Sequence, residues 1–574
     1  MHMAIGHRGP DDRGVWRSPG SHALYAHARL AIIDTSPAGR QPMQIEDGRY
    51  TITYNGEILN FAALRDSLVK SGVAFRSHSD TEVLLRLYQA HGPGFVDRLR
   101  GMFAFAIWDE RDRTCFLARD RFGIKPLYYC ESGGVLAFAS EVRALVASGV
   151  VGQTIDAQAA FEFFRTGSVP EPLTLVKGVR ALEAGHYMTW RDGDATLLRY
   201  WDVRFSENDA IGDPVAATRE ALIDSVHHHF VSDVPVGVFL SGGIDSTALV
   251  ALASKTERAR LRTFSLTFPG TEFDEGPEAR RTARFFDTDH HEWAVDATIA
   301  RGLVGDFLSA ADQPSIDGFN TFTVSSLARL HGAKVVLSGL GGDELFGGYP
   351  SFREVPRLAN WGHRAAMAGP LGSAAAWIAG EVGGARLRRA SDLITPFADL
   401  ENAYSVFRGI YTCSEALALT QQYVGDTDAV VLPVSSVGSI DPTPADTISR
   451  LELTRYMRNQ LLRDTDVMSM ACGVELRVPF LDPVLFSTVS RIPAATRLAP
   501  GKALLLKAVP EIPDWVTRRP KRGFMFPMQQ WLDGAWAGEL ATLERTPAVK
   551  VDTWYRKWAV FSFERWSRQV MAHA

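Results

Sequence analysis

Residues 236–247 read Val-Gly-Val-Phe-Leu-Ser-Gly-Gly-Ile-Asp-Ser-Thr, a short apolar run that breaks at paired glycines and gives way to a helix-compatible stretch, Ser246 to Ser254. The pattern predicts a strand, a phosphate loop and a helix. Gly242 and Gly243 tolerate backbone angles that other residues resist, so consecutive amides can converge on an anion at the positive end of the following helix. Pyrophosphate fits such a nest. Asp245 adds a carboxylate at the end of the loop, where a hard cation such as magnesium could bridge protein to phosphate oxygens. A Gly-Gly turn by itself equally describes a strand-to-helix turn with no ligand, so the rest of the chain has to supply the context.

That context comes at Val335-Val336-Leu337-Ser338-Gly339-Leu340-Gly341-Gly342-Asp343-Glu344-Leu345-Phe346-Gly347-Gly348-Tyr349. An apolar strand again ends in Ser-Gly, glycines follow, and the acidic pair Asp343 and Glu344 stands where a second loop could close over the same nucleotide. In a parallel sheet, ligands collect beyond the carboxyl ends of the strands, so both loops are expected to face one crevice.

The two segments resemble the ATP-pyrophosphatase half of the asparagine synthetase family, whose hallmarks are Ser-Gly-Gly-x-Asp-Ser and Ser-Gly-Glu-Gly-x-Asp-Glu-x-Phe-Gly-Gly-Tyr. The resemblance implies that ATP is held by Leu240, Ser241, Gly242, Gly243, Asp245, Ser246, Leu266, Ser338 and Gly339, with magnesium on Asp245 and Asp343. Leu240 and Leu266 also read as plain strand core. One position departs from the family: Leu340 stands where aspartate-amidating members carry a glutamate implicated in forming the acyl-adenylate. Leucine offers no proton acceptor, which leaves neighbours such as Glu344 to carry that chemistry.

A length of 574 residues, 46% of them apolar, is ample for two or three folded domains. A net charge of −5 with no long basic run gives no footprint for nucleic acid or for a membrane surface, so the expected partners are small molecules. Cysteines at 115, 130, 413 and 472 lack metal-ligand spacing and suit a reducing compartment. The chain shows no leader and no run of eighteen apolar residues, so the cytoplasm is the expected location.

Residues 1–203 interleave short β-like runs (Tyr50–Tyr54, Phe103–Trp108, Thr114–Ala118, Val135–Ala139) with helical patterning at Asn60–Ser71 and Thr81–His91, which predicts a layered α+β domain. The polar clusters His7-Arg8-Gly9-Pro10-Asp11-Asp12, Arg29 to Asp34, Asn55-Gly56-Glu57, Asp80-Thr81-Glu82 and Arg119 to Pro126 follow one another in an order that resembles the glutaminase domain of the same family. That domain is an N-terminal-nucleophile hydrolase with an αββα fold. The resemblance implies that Arg29 holds the glutamine carboxylate, Asp80 its α-amino group, and Asn55 with Gly56 the oxyanion, beside Glu57. In the family the nucleophile is a first-residue cysteine some forty residues before the His-Arg-Gly-Pro segment. Here that segment begins at His7. Either the true start lies upstream and restores that cysteine or the glutaminase is inactive, and the chain as written is expected to use ammonia, not glutamine.

Residues 204–215 are polar and turn-rich and predict a linker between the 1–203 domain and an asparagine synthase-like domain over 216–574. A helix from Ala216 to Phe230 buries Leu222, Val226 and Phe230, and the His227-His228-His229 triplet on it cannot face one metal ion. Strands and helices then alternate (Val236–Leu240, Ser246–Ser254, Arg262–Phe268, Gly276–Phe286, His290–Val295, Lys334–Leu337), which predicts a doubly wound parallel sheet. Beyond 355 the pattern turns helical, and Gly425–Thr447 is expected to be a long surface loop. Arg463 to Ala471 and Val474 to Asp482 match family segments beside the acyl-acceptor pocket, and Glu475 with Arg477 also reads as an internal ion pair. Lys521, in Arg519-Pro520-Lys521-Arg522-Gly523-Phe524, matches a family lysine whose ammonium stabilises anionic states at the reacting carbonyl.

Together these readings imply a ligase of asparagine biosynthesis that uses ATP and magnesium, takes aspartate or a related acid with glutamine or ammonia, and admits a homodimer. Two alternatives remain open at this point: a diverged or lactam-forming ligase acting on another acid, for which Leu340 speaks, and a non-catalytic nucleotide- or glutamine-binding regulator.

Overall fold

The structure is a computed structural model and describes all residues except 46–47, 207–210, 257–259, 369–387, 394–398, 433–440, 519–524, 541–544 and 572–574. The strand Gly101–Asp109 shows how the first third is layered. It is buried along nearly its whole length, and its sequence is accordingly an almost unbroken apolar run. Phe103, Phe105 and Ile107 point to one face, where Leu64, Leu68, Val83, Leu84 and Leu87 of the helices Phe61–Lys70 and Asp80–His91 pack. Ala104, Ala106 and Trp108 point to the other face, against Tyr25, Leu127 and Tyr129.

This strand lies inside a six-stranded antiparallel sheet, in the order Asp194–Arg199, His186–Arg191, Thr114–Arg119, Gly101–Asp109, Tyr50–Ile58, Met43–Ile45. A second β layer consists of the hairpin Asp12–Arg17 with Leu24–Arg29 and the three strands Val135–Ala139, Tyr128–Ser132 and Arg180–Ala181. The short helices Val142–Val146 and Ala157–Thr166 close it from outside through Ala144, Leu145, Phe161 and Phe164. The order is helix, sheet, sheet, helix, as the αββα expectation has it.

The second unit is built on a five-stranded sheet that is parallel throughout: Asp289–Ala294, Arg262–Thr267, Val236–Phe239, Val335–Leu337, Glu475–Arg477. Starting from Val236–Phe239, the next two strands in sequence add on one side and the last two add on the other. The strand order therefore reverses between Val236–Phe239 and Val335–Leu337, and a crevice opens at such a switch point beyond the carboxyl ends. Glu475–Arg477, which the sequence pattern does not mark as a strand, is the fifth member. The Glu475 N–H donates to Lys334 O at 2.7 Å and the Ser338 N–H to Arg477 O at 2.9 Å.

Helical segments surround this sheet, and the expected surface loop over Gly425–Thr447 is corrected at its end. Thr443 caps a helix over Pro444–Leu451, its hydroxyl accepting the Asp446 N–H, with proline at the first turn where no amide donor is needed. The next segment, Glu452–Leu462, is π-helical. After the first unit the chain is not a free tether, because Val203 and Phe205 are buried in the core of the second unit and Trp201 and Phe205 meet Phe486 edge-on. No described helix is long and apolar enough to cross a membrane.

Candidate active site

The loop after Val236–Phe239 turns into the helix Ile244–Thr256, and the loop after Val335–Leu337 into the short helix Gly342–Phe346. Both turns run through left-handed glycines, Gly242 at φ 76° and Gly341 at φ 98°. The loops also touch. A Cβ on Gly342 would fall 2.4 Å from Asp245 Oδ1, so only glycine lets the second loop close against the first. Ser241 and Ser246 link their hydroxyls at 3.1 Å, and Ser246 Oγ donates to Gly243 O, which fixes the first loop as one turn.

Asp245 and Asp343 thus stand at the ends of neighbouring strands, and one side chain joins them. Lys502 Nζ lies 2.5 Å from both carboxylate oxygens of Asp245 and also pairs with Asp343. Lys502 is 4% exposed and takes a left-handed backbone at φ 58° after Pro500-Gly501, a conformation that a side chain adopts only when its surroundings hold it there. Burial alone would lower its pKa, but the Asp245 and Asp343 carboxylates outweigh it, and the ammonium is held above its ordinary value. The two carboxylates at the glycine loops are oxygen donors of the kind a divalent ion takes, and the Lys502 ammonium stands between them.

A cavity of about 2060 Å³ opens from this point. Ser241, Gly242, Gly243, Asp245, Ser246, Ser338, Gly339 and Asp343 line it, as do Leu240 and Leu266, which are also strand core. Leu340 lines it too. Glu344 is 1% exposed and accepts a hydrogen bond from Tyr349 Oη at 2.9 Å. Burial, then Asp343 and Glu452, push its carboxyl up to about 8. The far wall comes from the π-helix, where Arg455 and Gln460 stand five residues apart, and from the α-helix Arg463–Ala471 that continues it, where Asp464 follows Asn459 by five. Gln158, Glu162 and Arg165 of the first unit complete the lining.

Sequence reasoning missed Lys502 and the π-helix. A lone lysine in Pro-Gly-Lys carries no motif, and its acidic partners are far away in sequence. Lys521 lies outside the described residues.

The predicted glutamine residues also gather, but differently. Asp80 is buried and accepts from Tyr54 Oη at 2.9 Å and from the Ile58 N–H at 3.1 Å, while burial pushes its carboxyl up to about 6. Arg29 donates to the backbone carbonyls of Asp34 and Ser36. Gly56 sits opposite Phe103 at φ 141°, where a Cβ would strike Met102 O. Asn55 Nδ2 and Glu57 Oε2 are buried without a hydrogen-bond partner, and Glu57 Oε1 is 3.5 Å from Arg477 Nη2 of the second unit. Burial, then Glu475, raise the Glu57 carboxyl well above the usual range. Arg477 pairs with Glu475 at 2.9 Å, so the internal ion pair exists, yet it also reaches the glutamine-site strand.

Charge crosses the boundary between the two units elsewhere as well. Arg8 binds Glu141 at 3.0 Å and Asp466 at 2.6 Å, and Lys125 lies 3.3 Å from Asp466 and 3.5 Å from Glu475. The four cysteines offer no poised thiolate: burial pushes Cys115 and Cys413 up to about 12 and raises Cys130 and Cys472.

A glutamine amidotransferase domain model matches residues 1–201 and an asparagine synthase model matches residues 217–563. The chain is 36% identical over 551 residues to asparagine synthetase [glutamine-hydrolyzing] 1 of Bacillus subtilis, covering 93% of this chain and 84% of that protein. It is also 36% identical over 564 residues to a putative asparagine synthetase [glutamine-hydrolyzing] of Mycobacterium bovis, with the same coverage. More distantly, it is 28% identical over 594 residues to the amidase chry2 of Gibberella zeae, covering 92% and 85%. With both domain models matched in sequence and 36% identity to such synthetases over 93% of its length, the chain belongs to the glutamine-hydrolysing asparagine synthetase family.

Proposed function

We propose that the protein is an ATP-dependent amide-forming ligase whose acid substrate is aspartate or a close relative, and that the nitrogen for this 574-residue chain is ammonia. The observation that carries the reading is the convergence of Asp245 and Asp343 on Lys502 at the switch point. The acid's carboxylate oxygen attacks the α-phosphorus of ATP, pyrophosphate leaves, and the amine nitrogen then attacks the acyl carbon and displaces AMP. Ser241 to Ser246 hold phosphate through backbone amides and hydroxyls, while Leu240, Leu266, Ser338 and Gly339 line the nucleoside end. Asp245 and Asp343 would hold a magnesium ion, which would supply charge neutralisation at the pyrophosphate. The Lys502 ammonium adds fixed positive charge at the same place. Glu344 is a cavity carboxylate available for proton transfer near Leu340, and Lys521 adds the cation that the family resemblance implies. Arg29, Asn55, Gly56, Glu57 and Asp80 form the glutamine subsite.

Leu340 supports a second reading, a ligase that has diverged to another carboxylic acid. Both readings are tested by pyrophosphate release with ATP, magnesium and ammonium, comparing aspartate with a panel of other acids in the parent and in Leu340→Glu. Efficient aspartate-dependent release in the parent supports the first reading. Poor release that Leu340→Glu raises by roughly 10²–10⁴, the usual worth of a general base, supports the second. No release with any acid sinks both and leaves a binding protein.

A further inference from the structure

Beyond the phosphate end, the charges that line the large cavity are unevenly paired. Its arginines are already engaged: Arg165 with Glu162 at 2.7 Å, Arg408 with Glu452 at 2.6 Å, Arg455 with Glu401 at 2.6 Å and Arg353 with Glu354 at 3.0 Å. Two lining carboxylates, in contrast, have hydrogen bonds but no cation among the described residues. Asp317 Oδ1 accepts the Gly318 N–H at 2.8 Å, and the Gln460 side chain also bonds to it. Glu344 Oε1 accepts from Tyr349 Oη, while Glu344 Oε2 is buried with no partner at all. The local backbone holds both in place. Gly318 takes a left-handed φ of 90°, and a Cβ there would fall 3.2 Å from Asp464 Cβ, so the Asp317 loop seats directly on the helix Arg463–Ala471. Ser315 ties the same loop down, its hydroxyl accepting the Asp317 N–H at 3.1 Å and donating to Asp464. Tyr456 stands between the two carboxylates. Its ring meets Tyr349 at 6.0 Å, and its phenol is raised by burial, against Arg408, with Asp317, Glu452 and Glu344 adding to the rise.

A carboxylate drawn out of water without a counter-charge is costly, and burial raises the Asp317 carboxyl for want of one. A water molecule would satisfy the lone pairs and leave the charge. A primary ammonium brings three N–H donors together with the charge, so it answers both needs. We propose that Asp317 and Glu344 bind the ammonium group of an amino-substituted acid, so that the amine, and not a second carboxylate, is what this cavity recognises in its substrate. The engaged arginines point the same way, since a second carboxylate would have to compete with Glu162, Glu401 or Glu452 for its partner. The inference rests on the reading of the cavity as an acid-adenylating site and names the class of acid.

The test uses the full chain and three related acids: aspartate, 3-aminopropanoate, which lacks the second carboxylate, and succinate, which lacks the amine. With ATP, magnesium and ammonium, kcat/KM for pyrophosphate release should be higher for both amino acids than for succinate by roughly ten- to a hundredfold, the scale of a hydrogen bond to a charged group. Succinate matching 3-aminopropanoate in the parent overturns the proposal, and that comparison needs no variant. Asp317→Asn keeps an acceptor oxygen for the Gly318 N–H and should erase most of the preference; an unchanged preference overturns the assignment. A raised KM for ammonium with the acid preference intact would place the pair on the incoming nucleophile and equally overturn it. If no acid releases pyrophosphate, the ligase reading fails, and calorimetry on the protein loaded with α,β-methylene-ATP and magnesium decides the amine site separately. Tighter binding of 3-aminopropanoate than of succinate upholds it there, and equal or absent binding overturns it.

Discussion

The two candidate sites are built on opposite plans. In the first unit, Asp80 and Arg29 are already hydrogen-bonded within the protein, to Tyr54, Ile58 and the Asp34–Ser36 loop. In the second, Asp245, Asp343 and Lys502 hold one another at the edge of a large cavity, on loops joined to different strands and helices. The first pocket is supported from behind by hydrogen bonds, whereas the second is held together by charges that a nucleotide and a cation would have to rearrange. Substitutions should therefore act on chemistry at the second site and on stability at the first.

The largest effect is expected at the shared point of the second site. Asp245→Asn or Asp343→Asn should reduce ATP-dependent pyrophosphate release by roughly 10³-fold, the upper scale of losing one preorganised electrostatic group. Thermal unfolding should fall by less than activity does, because the buried Lys502 ammonium keeps the other carboxylate as its partner. Unaltered turnover in Asp245→Asn would remove this pair from the mechanism. Lys502→Met is the sharper probe. It should cost turnover roughly 10²-fold, yet it leaves two carboxylates facing each other, so manganese should bind the nucleotide-free variant more tightly than the parent. Weaker manganese binding would mean that the carboxylates do not share an ion.

How far this contrast could be read from sequence depends on whether neighbours in space are also neighbours in the chain. The strands Val236–Phe239 and Val335–Leu337 were legible because each apolar run ends at Ser-Gly, and the parallel order followed from strand-helix alternation. A layered α+β first third was legible from Phe103–Trp108 and its companions, while the αββα order came only with the family resemblance. Lys502 was not legible, since its role exists only where a left-handed turn carries it to Asp245. The π-helix was not legible either: Glu452–Leu462 has ordinary helix formers, and its wide turns are fixed by what packs around it. Glu475–Arg477 is too short to announce a strand, and only Lys334 and Ser338 beside it make it one.

Two buried carboxylates of the first unit turn the contrast into opposite pH dependences. Glu141 is fully buried, and although burial opposes ionisation, His7, Arg8 and Arg143 lower its carboxyl from 4.5 to about 2. Its contribution is present above the ordinary carboxylate range and is lost as pH falls from about 4.5 toward 2. That difference corresponds to about 3 kcal/mol. Urea unfolding of Glu141→Gln and the parent at pH 7 and at pH 3 should show a large gap at the higher pH that shrinks at the lower. An equal gap at both would mean that the Arg8 bridge adds no net stability through ionisation.

Asp80 has the reverse sign and a slightly smaller shift. Burial raises its carboxyl from 3.8 to about 6, even with the Ile58 and Tyr54 hydrogen bonds pulling it down. Between those values the folded protein holds a proton that the unfolded chain releases, so stability is highest below pH 4 and falls as pH rises through about 6. The penalty approaches about 3 kcal/mol at neutral pH. Asp80→Asn removes the charge, so its stability relative to the parent should improve from pH 4 to pH 7, the opposite trend to Glu141→Gln. Tyr54→Phe takes away a hydrogen bond that favours the ionised form, costs about 1 kcal/mol at neutral pH, and moves the inflection upward. If Asp80 also receives the α-ammonium of glutamine, the ligand supplies the missing counter-charge, and glutamine affinity measured by calorimetry should increase as pH rises through 6 in the parent and lose that dependence in Asp80→Asn. A flat profile in the parent would leave Asp80 as a buried structural carboxylate and confine ligand chemistry to the second unit.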